Sequence, residues 1–288
     1  MSKPMTAFTL KVFIIQRKTL MPPYAIFMDI DGTLVDHSQI PTQATVDAIA
    51  KFRAAGNLFF IASGRPLFSA RVMADRIGPN LNVICSNGSV IAVDQQVDNI
   101  HLSKSALTGI YHIAKKYGIR THFFTKESVI FLDQPTEPIS RDAKNRIAGE
   151  DPSKNQRVHS LDELLTLAPE ITNGISISSD LDLQLAAKAE MAKLPDIDVS
   201  SSGFDNIEIT AKGINKASAI KAVCAKLAIP MSHTMAFGDG DNDLQMLTTV
   251  HYGVAMGNAN ERVKAAVHHF TTDIHHDGVA TYLHHFFD

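Results

Sequence analysis

The stretch Tyr24-Ala25-Ile26-Phe27-Met28-Asp29-Ile30-Asp31-Gly32-Thr33 decides the fold. Its apolar residues run without interruption and stop at Asp29, which is the pattern of a parallel strand buried on both faces. Two more apolar segments, Leu58–Ala62 and Asn82–Cys85, follow it, and a helix is predicted between each pair of segments. Strand, helix, strand, helix, strand is the βαβαβ unit of a parallel sheet covered by helices. The sequence therefore predicts an α/β fold.

The rhythm of the chain changes after Val93. From there to about residue 205, helices alternate with strand pairs such as Arg120–Phe124 and Val129–Leu132. The βα rhythm returns with a helix from about Ile214 to Leu227. We interpret the middle of the chain as an α+β domain inserted into a discontinuous first domain. The predicted division is an N-terminal extension of residues 1–20, a core of residues 21–92 and 206–288, and an inserted domain of residues 93–205.

Composition excludes several classes of protein. The 288 residues include 27 Lys+Arg and 30 Asp+Glu, a net charge of −3, which argues against a protein that binds nucleic acid through a basic surface. Two cysteines can build neither a disulfide framework nor a thiolate zinc site, so we expect a cytoplasmic protein. No apolar run approaches the roughly 18 residues that span a bilayer. Residues 1–20 do not meet the criteria for a targeting segment. We interpret them as a non-catalytic extension, or as the result of an upstream start codon with Met21 as the working initiator.

Asp29 and Asp31 stand at the carboxyl end of the first predicted strand, the edge at which open parallel sheets bind ligands. Alternation along an extended chain turns both carboxylates to one side, with Ile30 pointing away. Two close carboxylates repel each other, so they favour a bound cation or a shared proton. The alternative is a pair of turn aspartates, because Asp-Gly is a common turn signal.

A second acidic cluster, Gly238-Asp239-Gly240-Asp241-Asn242-Asp243, follows another apolar strand. An EF-hand loop in this register would need glycine at position 244 and glutamate at position 250, but Leu244 and Val250 stand there. Calcium-loop chemistry is therefore excluded. An acidic site with oxygen ligands suits Mg²⁺, which is held by one or two carboxylates, waters and substrate phosphate.

Two further positions complement the carboxylates. Ser63 and Gly64 follow the second strand and offer a hydroxyl and backbone N–H groups just before a helix, which favours an anion. Lys216, near the start of a predicted helix, offers a positive charge. For Lys216 the alternative is a solvated surface lysine.

In chain order, these motifs resemble those of the haloacid dehalogenase-like phosphatases, in particular the Cof-type branch with a large type IIB cap. The motifs are Asp29–Thr33, Ser63-Gly64-Arg65, Lys216 and Gly238–Asp243, with weaker matches at Ser86-Asn87-Gly88, at Ile207-Glu208-Ile209 and at 253–259. The resemblance spans residues 24 to about 283. It implies a Rossmann-like parallel-sheet core with an inserted α+β cap domain.

The resemblance also implies roles for the individual residues. Asp29 would attack phosphorus, and Asp31 would protonate the leaving group and then deprotonate water. The Asp29 carboxylate, the Asp31 carbonyl and Asp239 would hold Mg²⁺, with support from Asp243. The implied ligands of the phosphate oxygens are Ser63, Gly64, Lys216 and Asn242.

The function expected from these features is a Mg²⁺-dependent phosphomonoester hydrolase that acts on a small phosphorylated metabolite, with a sugar phosphate as first choice. One alternative is a phosphomutase of the same superfamily. Another is a catalytically silent regulatory or binding module, whose expected mark is a damaged motif; the site positions show no such damage. The cap would choose the substrate, with the Ser201–Asn206 turn as a candidate. We expect a monomer or weak homodimer that binds neither nucleic acid nor membrane.

Overall fold

The computed structural model describes residues 22–132, 151–201 and 206–288. The predicted extension of residues 1–20 lies outside the described residues. So do residues 133–150 and the interior of the Ser201–Asn206 turn. Within the three described ranges, no helix has the length and apolar character that crossing a membrane requires.

The helices and strands of the described residues have the following bounds. The strands are β1 (Ala25–Met28), β2 (Leu58–Ala62), β3 (Asn82–Cys85), β4 (Val90–Val93), β5 (Gln96–Asn99), β6 (Arg120–Phe124), β7 (Val129–Leu132), β8 (Gln156–Val158), β9 (Asn173–Ile177), β10 (Ile197–Ser200), β11 (Asn206–Ala211), β12 (Thr234–Gly238), β13 (Tyr252–Ala255) and β14 (His269–Phe270). The helices are α1 (Gln43–Ala54), α2 (Leu67–Ile77), α3 (Lys104–Tyr117), α4 (Leu161–Thr166), α5 (Leu181–Met191), α6 (Lys216–Lys226), α7 (Leu244–Thr249), α8 (Glu261–Ala266) and α9 (Gly278–Phe287).

The strands form two sheets. The first has the order β14-β13-β12-β1-β2-β3-β4-β5, and it is parallel from β14 to β3 with an antiparallel edge formed by β4 and β5. The second has the order β10-β11-β9-β6-β7-β8 and is antiparallel except where β7 pairs with β8. The predicted α/β fold, with a parallel sheet and an inserted α+β part, is confirmed.

Strand β1 is fully buried because helices cover both faces of the first sheet. Ile26 and Met28 pack on one face against residues of α1, α2 and α9. Ala25 and Phe27 pack on the other face against residues of α6, α7 and α8. This two-sided burial is the physical reason for the uninterrupted apolar run before Asp29.

Sheet membership differs from the predicted division at both domain boundaries. Strand β5 belongs to the first sheet, although a boundary at residue 93 assigns it to the inserted domain. Strand β11 belongs to the second sheet, although a boundary at residue 206 assigns it to the core. Strand β5 is a polar, exposed edge strand, so it carries no apolar alternation that would reveal it. The two-domain division stays a prediction, and the sheets favour boundaries near residues 100 and 212.

Capping chemistry marks the ends of helices α1 and α3. The Thr42 side chain accepts from the N–H of Thr45 at 3.2 Å and caps α1, and the Ser103 side chain accepts from Ala106 at 3.0 Å and caps α3. Gly118 ends α3 in the left-handed conformation, with φ of +64°. Each cap satisfies backbone groups that the terminal turn leaves without partners.

His122 on β6 makes the stability of the second sheet depend on pH. Its ring is buried against Phe131, and burial, with Arg120 and Arg157 nearby, lowers the pKa of His122 to about 4. The unfolded state therefore binds more protons between pH 4 and pH 6.5, so the free energy of unfolding falls as pH falls through this window. We expect His122 to lower the free energy of unfolding by about 2 kcal/mol between pH 7 and pH 4.5.

Urea unfolding of the His122→Phe variant at both pH values checks this prediction, because the variant should lose less stability on acidification than the unmodified protein. The matched control is His112→Phe on α3, where the histidine is exposed. An unchanged pH dependence in His122→Phe would contradict the prediction.

Candidate active site

The order of the first sheet brings the predicted site residues together. Strands β12, β1 and β2 are neighbours, and Asp239, Asp29 and Ser63 lie at or directly after their carboxyl ends. The backbone N–H of Asp29 donates to the carbonyl of Phe237 at 3.1 Å, which continues the β1–β12 ladder into the site. These side chains therefore meet at one edge of the sheet, as ligand-binding residues of open parallel sheets do.

The turn after β1 fits closely against the turn after β12. Ile30 is fully buried and points into the core. Gly32 has φ of +90°, and a Cβ at this position would collide with the carboxylate of Asp239. Thr33 donates through Oγ1 to Asp239 Oδ1 at 3.3 Å. Glycine at position 32 is thus required both by the backbone conformation and by the close approach.

The centre of the site is a buried cluster of three carboxylates and one ammonium group. Asp29, Asp239 and Asp243 each offer an oxygen within 4.8 Å of the others. Lys216 Nζ donates to Asp29 Oδ1 and to Asp243 Oδ1, both at 2.6 Å. Lys216 is 1% exposed, so the alternative of a solvated surface lysine is wrong.

The electrostatics of the cluster favour a further cation. Burial and the neighbouring Asp243 raise the pKa of Asp29 well above its usual range, against the opposing effect of Lys216. Burial and Asp243 likewise raise the pKa of Asp239 to about 7. Burial disfavours the charged form of Lys216, but Asp243 and Asp29 outweigh burial and raise the pKa of Lys216, which keeps it protonated. One ammonium does not neutralise three carboxylates, so this part of the site attracts positive charge.

Asp243 also shapes the loop that carries Asp239. Its Oδ2 accepts from the backbone N–H groups of Asp239 at 3.0 Å and Gly240 at 3.1 Å. A Cβ on Gly238 would stand 2.6 Å from the Cβ of Asp243, so glycine is required where β12 ends. The carboxylate of Asp243 therefore fixes the loop through one oxygen and contacts Lys216 through the other.

Asp31 is held by a residue to which the sequence assigned no role. Arg65 donates from Nε to Asp31 Oδ2 at 2.8 Å and from Nη2 to Asp31 Oδ1 at 2.5 Å. Arg65 also donates to the side chain of Gln39, whose Nε2 donates to Asp31 Oδ1 at 3.3 Å. The side chain of Arg65 is 3% exposed, whereas that of Asp31 is 49% exposed. The two-point contact orients the Asp31 carboxylate beside the cluster of three.

A cavity of about 70 Å³ opens above these groups. The predicted residues among those that line it are Asp29, Asp31, Ser63, Gly64, Asp239 and Asn242. Lys216 and Asp243 are buried and are not among its lining residues. The cavity also has walls from Arg65 and from Glu208 of β11, for which sequence reasoning gave no role. Their place in the sequence could have indicated a role, because each lies inside a stretch that resembles a family motif.

The two cysteines take no part in this site. Cys85 and Cys224 are buried, and burial raises the pKa of both thiols, that of Cys224 to about 11. A thiol of this kind is protonated at neutral pH and is a poor nucleophile. Both side chains therefore fill the core of the first sheet.

Comparison with known proteins places the chain in a family. Residues 26–283 match the model of the haloacid dehalogenase-like hydrolases. The chain is 30% identical over 260 residues to 5-amino-6-(5-phospho-D-ribitylamino)uracil phosphatase YcsE of Bacillus subtilis (strain 168), covering 90% of this chain and 94% of that protein. It is 26% identical over 266 residues to HMP-PP phosphatase of Cronobacter sakazakii, covering 90% and 94%.

A solved phosphatase structure has a fold similar to that of this chain. The fold is similar to that of the subclass IIB sugar phosphatase BT4131, with a TM-score of 0.78 and 26% identity, covering 91% of this chain and 98% of that one. The predictions of a Cof-type member of subclass IIB and of a phosphatase are confirmed. The match of the family model over nearly the whole described chain, together with the acidic edge of the first sheet, shows that this protein belongs to the haloacid dehalogenase-like hydrolase family.

Proposed function

We propose that the protein is a Mg²⁺-dependent phosphomonoester hydrolase that acts on a small phosphorylated metabolite through an aspartyl-phosphate intermediate. The observation that carries the proposal is Asp29, a buried carboxylate at the end of β1 that faces a cavity shared with Asp31 and Ser63. The relatives support the substrate class, because two are named for phosphorylated metabolites and one is a sugar phosphatase. The monomeric or weakly dimeric state and the cytoplasmic location stay predictions of the sequence.

The nucleophile in this mechanism is Asp29. Lys216 holds Oδ1 of Asp29 at 2.6 Å, so attack on phosphorus falls to the other carboxylate oxygen. As the bond from Asp29 to phosphorus forms, the bond from phosphorus to the leaving oxygen breaks. A water molecule then attacks the aspartyl phosphate, which releases inorganic phosphate and restores the carboxylate.

Asp31 moves the protons in both steps. It gives a proton to the leaving oxygen in the first step and takes one from the attacking water in the second. Arg65 acts on this residue as a positioning group, because its two contacts fix the direction of the Asp31 carboxylate. This accounts for a buried arginine beside a residue that is itself half exposed.

The residues present fit a bound Mg²⁺ ion. The carboxylates of Asp29 and Asp239 and the carbonyl of Asp31 would hold it, with Asp243 in support, and oxygen atoms are the ligands that Mg²⁺ prefers. When bound, the ion neutralises phosphate charge and so lets one anion approach another. The excess of carboxylates over ammonium groups in the cluster is the structural reason to expect it.

The phosphate group would be held by donors around the cavity. Ser63 and Gly64 lie where β2 ends, and Asn242 lies in the turn after β12. Lys216 contributes its charge from behind Asp29, since Nζ already contacts two carboxylates. Loss of one such electrostatic donor typically costs about 10²–10³ in rate.

Removal and return of magnesium tests the proposal. After treatment with EDTA, we expect the protein to release no inorganic phosphate from a panel of phosphorylated metabolites, and to recover turnover when Mg²⁺ is added. Saturating Mg²⁺ should also raise the thermal midpoint by about 5 °C or more, because the ion binds the folded state.

The Asp239→Asn variant should lose the thermal response, whereas Asp241→Asn, on the same loop but exposed and paired with Arg262, should keep it. Interconversion of hexose monophosphate isomers without free phosphate would contradict the hydrolase and favour a phosphomutase.

A further inference from the structure

The motif Ser86-Asn87-Gly88 has no part in the proposed reaction, yet its middle residue contacts Ser63 and Glu208, which line the active-site cavity. Asn87 has a left-handed backbone, with φ of +52°, a conformation in which asparagine is enriched. Its backbone N–H donates to the carbonyl of Ser63 at 3.1 Å. Asn87 is therefore tied to the turn that would bind phosphate, and its side chain is buried.

Strand β11 of the second sheet supplies a partner for Asn87. Ile207 and Ile209 pack into the core of the second sheet, so alternation turns Glu208 to the opposite face, toward the first sheet. Glu208 Oε2 accepts from Asn87 Nδ2 at 2.6 Å. This contact fixes the amide of Asn87, since its nitrogen must face the carboxylate and its oxygen must face the other way.

The oxygen of that amide, Asn87 Oδ1, is buried without a hydrogen-bond partner among the described residues. It stands 3.1 Å from the position that a Cβ on Gly64 would occupy. Asn87 also lines a cavity of about 10 Å³, the room of a single water molecule or hydroxyl group, with Phe124 and Ile175 as apolar walls. A buried acceptor without a donor is unfavourable, so a ligand that donates a hydrogen bond to Asn87 Oδ1 would be favoured.

The small cavity adjoins the cavity for the phosphate. Gly64, Arg65 and Glu208 line both of them. A group that enters the small cavity while phosphate occupies the larger one must therefore be attached close to the ester oxygen. The small cavity offers acceptor oxygens of Asn87 and Glu208, so it suits a neutral hydrogen-bond donor.

We propose that Asn87 Oδ1 accepts a hydrogen bond from a hydroxyl group on the carbon next to the ester carbon of the substrate, with Glu208 as the positioning residue that holds the amide. The inference rests on the proposed phosphatase activity and narrows its substrates to phosphorylated polyols and sugars that carry such a hydroxyl. It also makes Asn87, in the turn between β3 and β4 and positioned by a residue of the second sheet, a determinant of specificity.

Three esters of equal chain length test the proposal on the Mg²⁺-loaded protein. They are propane-1,2-diol 1-phosphate, 2-fluoropropyl phosphate and propyl phosphate, of which only the first offers a donor at the second carbon. We expect kcat/KM for the diol ester to exceed that of the other two by about ten- to one-hundred-fold, because they leave the buried acceptor unpaired. Equal kcat/KM for all three would overturn the inference.

Variants distinguish the loss of hydroxyl recognition from a general loss of structure. The quantity measured is the ratio of kcat/KM for the diol ester to kcat/KM for the propyl ester, which a general loss of active protein does not change. Asn87→Gly keeps the left-handed backbone and should bring the ratio of diol to propyl ester to within about threefold of one. Glu208→Leu should do the same, whereas Glu208→Gln, which still offers an oxygen to Asn87 Nδ2, should preserve the ratio. The matched control is Glu170→Gln, an exposed carboxylate after α4, and it should leave the ratio unchanged.

An unchanged ratio in Glu208→Leu would overturn the positioning role, and an unchanged ratio in Asn87→Gly would overturn the acceptor. If the unmodified protein hydrolyses no phosphate ester, p-nitrophenyl phosphate included, the proposed function itself fails. Activity without discrimination among the three esters contradicts the inference alone.

Discussion

Replacing Asp29 with asparagine should lower the turnover of p-nitrophenyl phosphate by about 10⁴-fold or more, the scale seen when a nucleophile is removed from its catalytic group. The amide cannot form the bond to phosphorus that the carboxylate forms. Asparagine has nearly the same shape, so the turn after β1 and the contact with Lys216 can persist. The measurement is steady-state turnover at saturating Mg²⁺, and wild-type-like turnover would contradict the assignment of the nucleophile.

The same variant should not be less stable than the unmodified protein in the absence of metal. Burial and Asp243 raise the pKa of Asp29 in the folded state, so the ionised carboxylate costs stability at any pH above the ordinary aspartate value. Asparagine removes that charge from the cluster. Urea unfolding at pH 7.5 without Mg²⁺ should give a midpoint at or above that of the unmodified protein.

Asp241→Asn is the matched control for Asp29→Asn. Asp241 lies on the loop after β12, is exposed, and pairs with Arg262 at 3.2 Å outside the cluster. We expect both its turnover and its unfolding midpoint to stay close to those of the unmodified protein. A loss of activity in this control would show that the loop responds to any loss of charge.

Replacing Lys216 with methionine should lower the free energy of unfolding by about 3–5 kcal/mol, the range found when one partner of a buried ion pair is removed. Lys216 is the ammonium group that contacts both Asp29 and Asp243, each at 2.6 Å. Methionine fills similar space but leaves the carboxylates to repel one another. Urea unfolding at pH 7.5 without metal measures the effect, and a change below about 1 kcal/mol would contradict it.

Two further variants show whether the loss arises from the ion pair. Lys221→Met, on the exposed side of the same helix, should cost little, because a solvated lysine contributes little to stability. The double variant Lys216→Met with Asp29→Asn should be more stable than the sum of the single changes predicts. Strict additivity would indicate that the lysine acts through packing and not through charge.

Most elements that the sequence predicted carry an apolar pattern or a chemical cap. Strands β1 and β2 are continuous apolar runs, so their positions are reproduced within a residue or two. Helices α1 and α3 begin at the capping residues Thr42 and Ser103. The elements that were not predicted are β4, β5, β8, β14, α4, α7 and α9. Strand β5 is polar and exposed, and α4 is a single short segment. Edge strands and short helices are defined by their neighbours in space, which local patterns do not contain.

The site was predicted as a set of residue types but not as a set of contacts. Spacing places Asp29 and Asp239 at strand ends, and sheet order then brings them together. Nothing local in the sequence indicates that Arg65 holds Asp31 or that Lys216 is buried between two carboxylates. These contacts join segments 27 to 187 residues apart, and only tertiary packing brings such segments together.

The place of β1 in the middle of the first sheet has a consequence for synthesis on the ribosome. Its two neighbours are β2, which follows soon, and β12, which begins only at Thr234. One hydrogen-bonding edge of a fully apolar strand therefore stays without its native partner while most of the polypeptide, including the whole second sheet, is being translated. Such an edge is a template for intermolecular pairing. We expect the nascent chain to depend on chaperone protection until β12 has emerged from the exit tunnel.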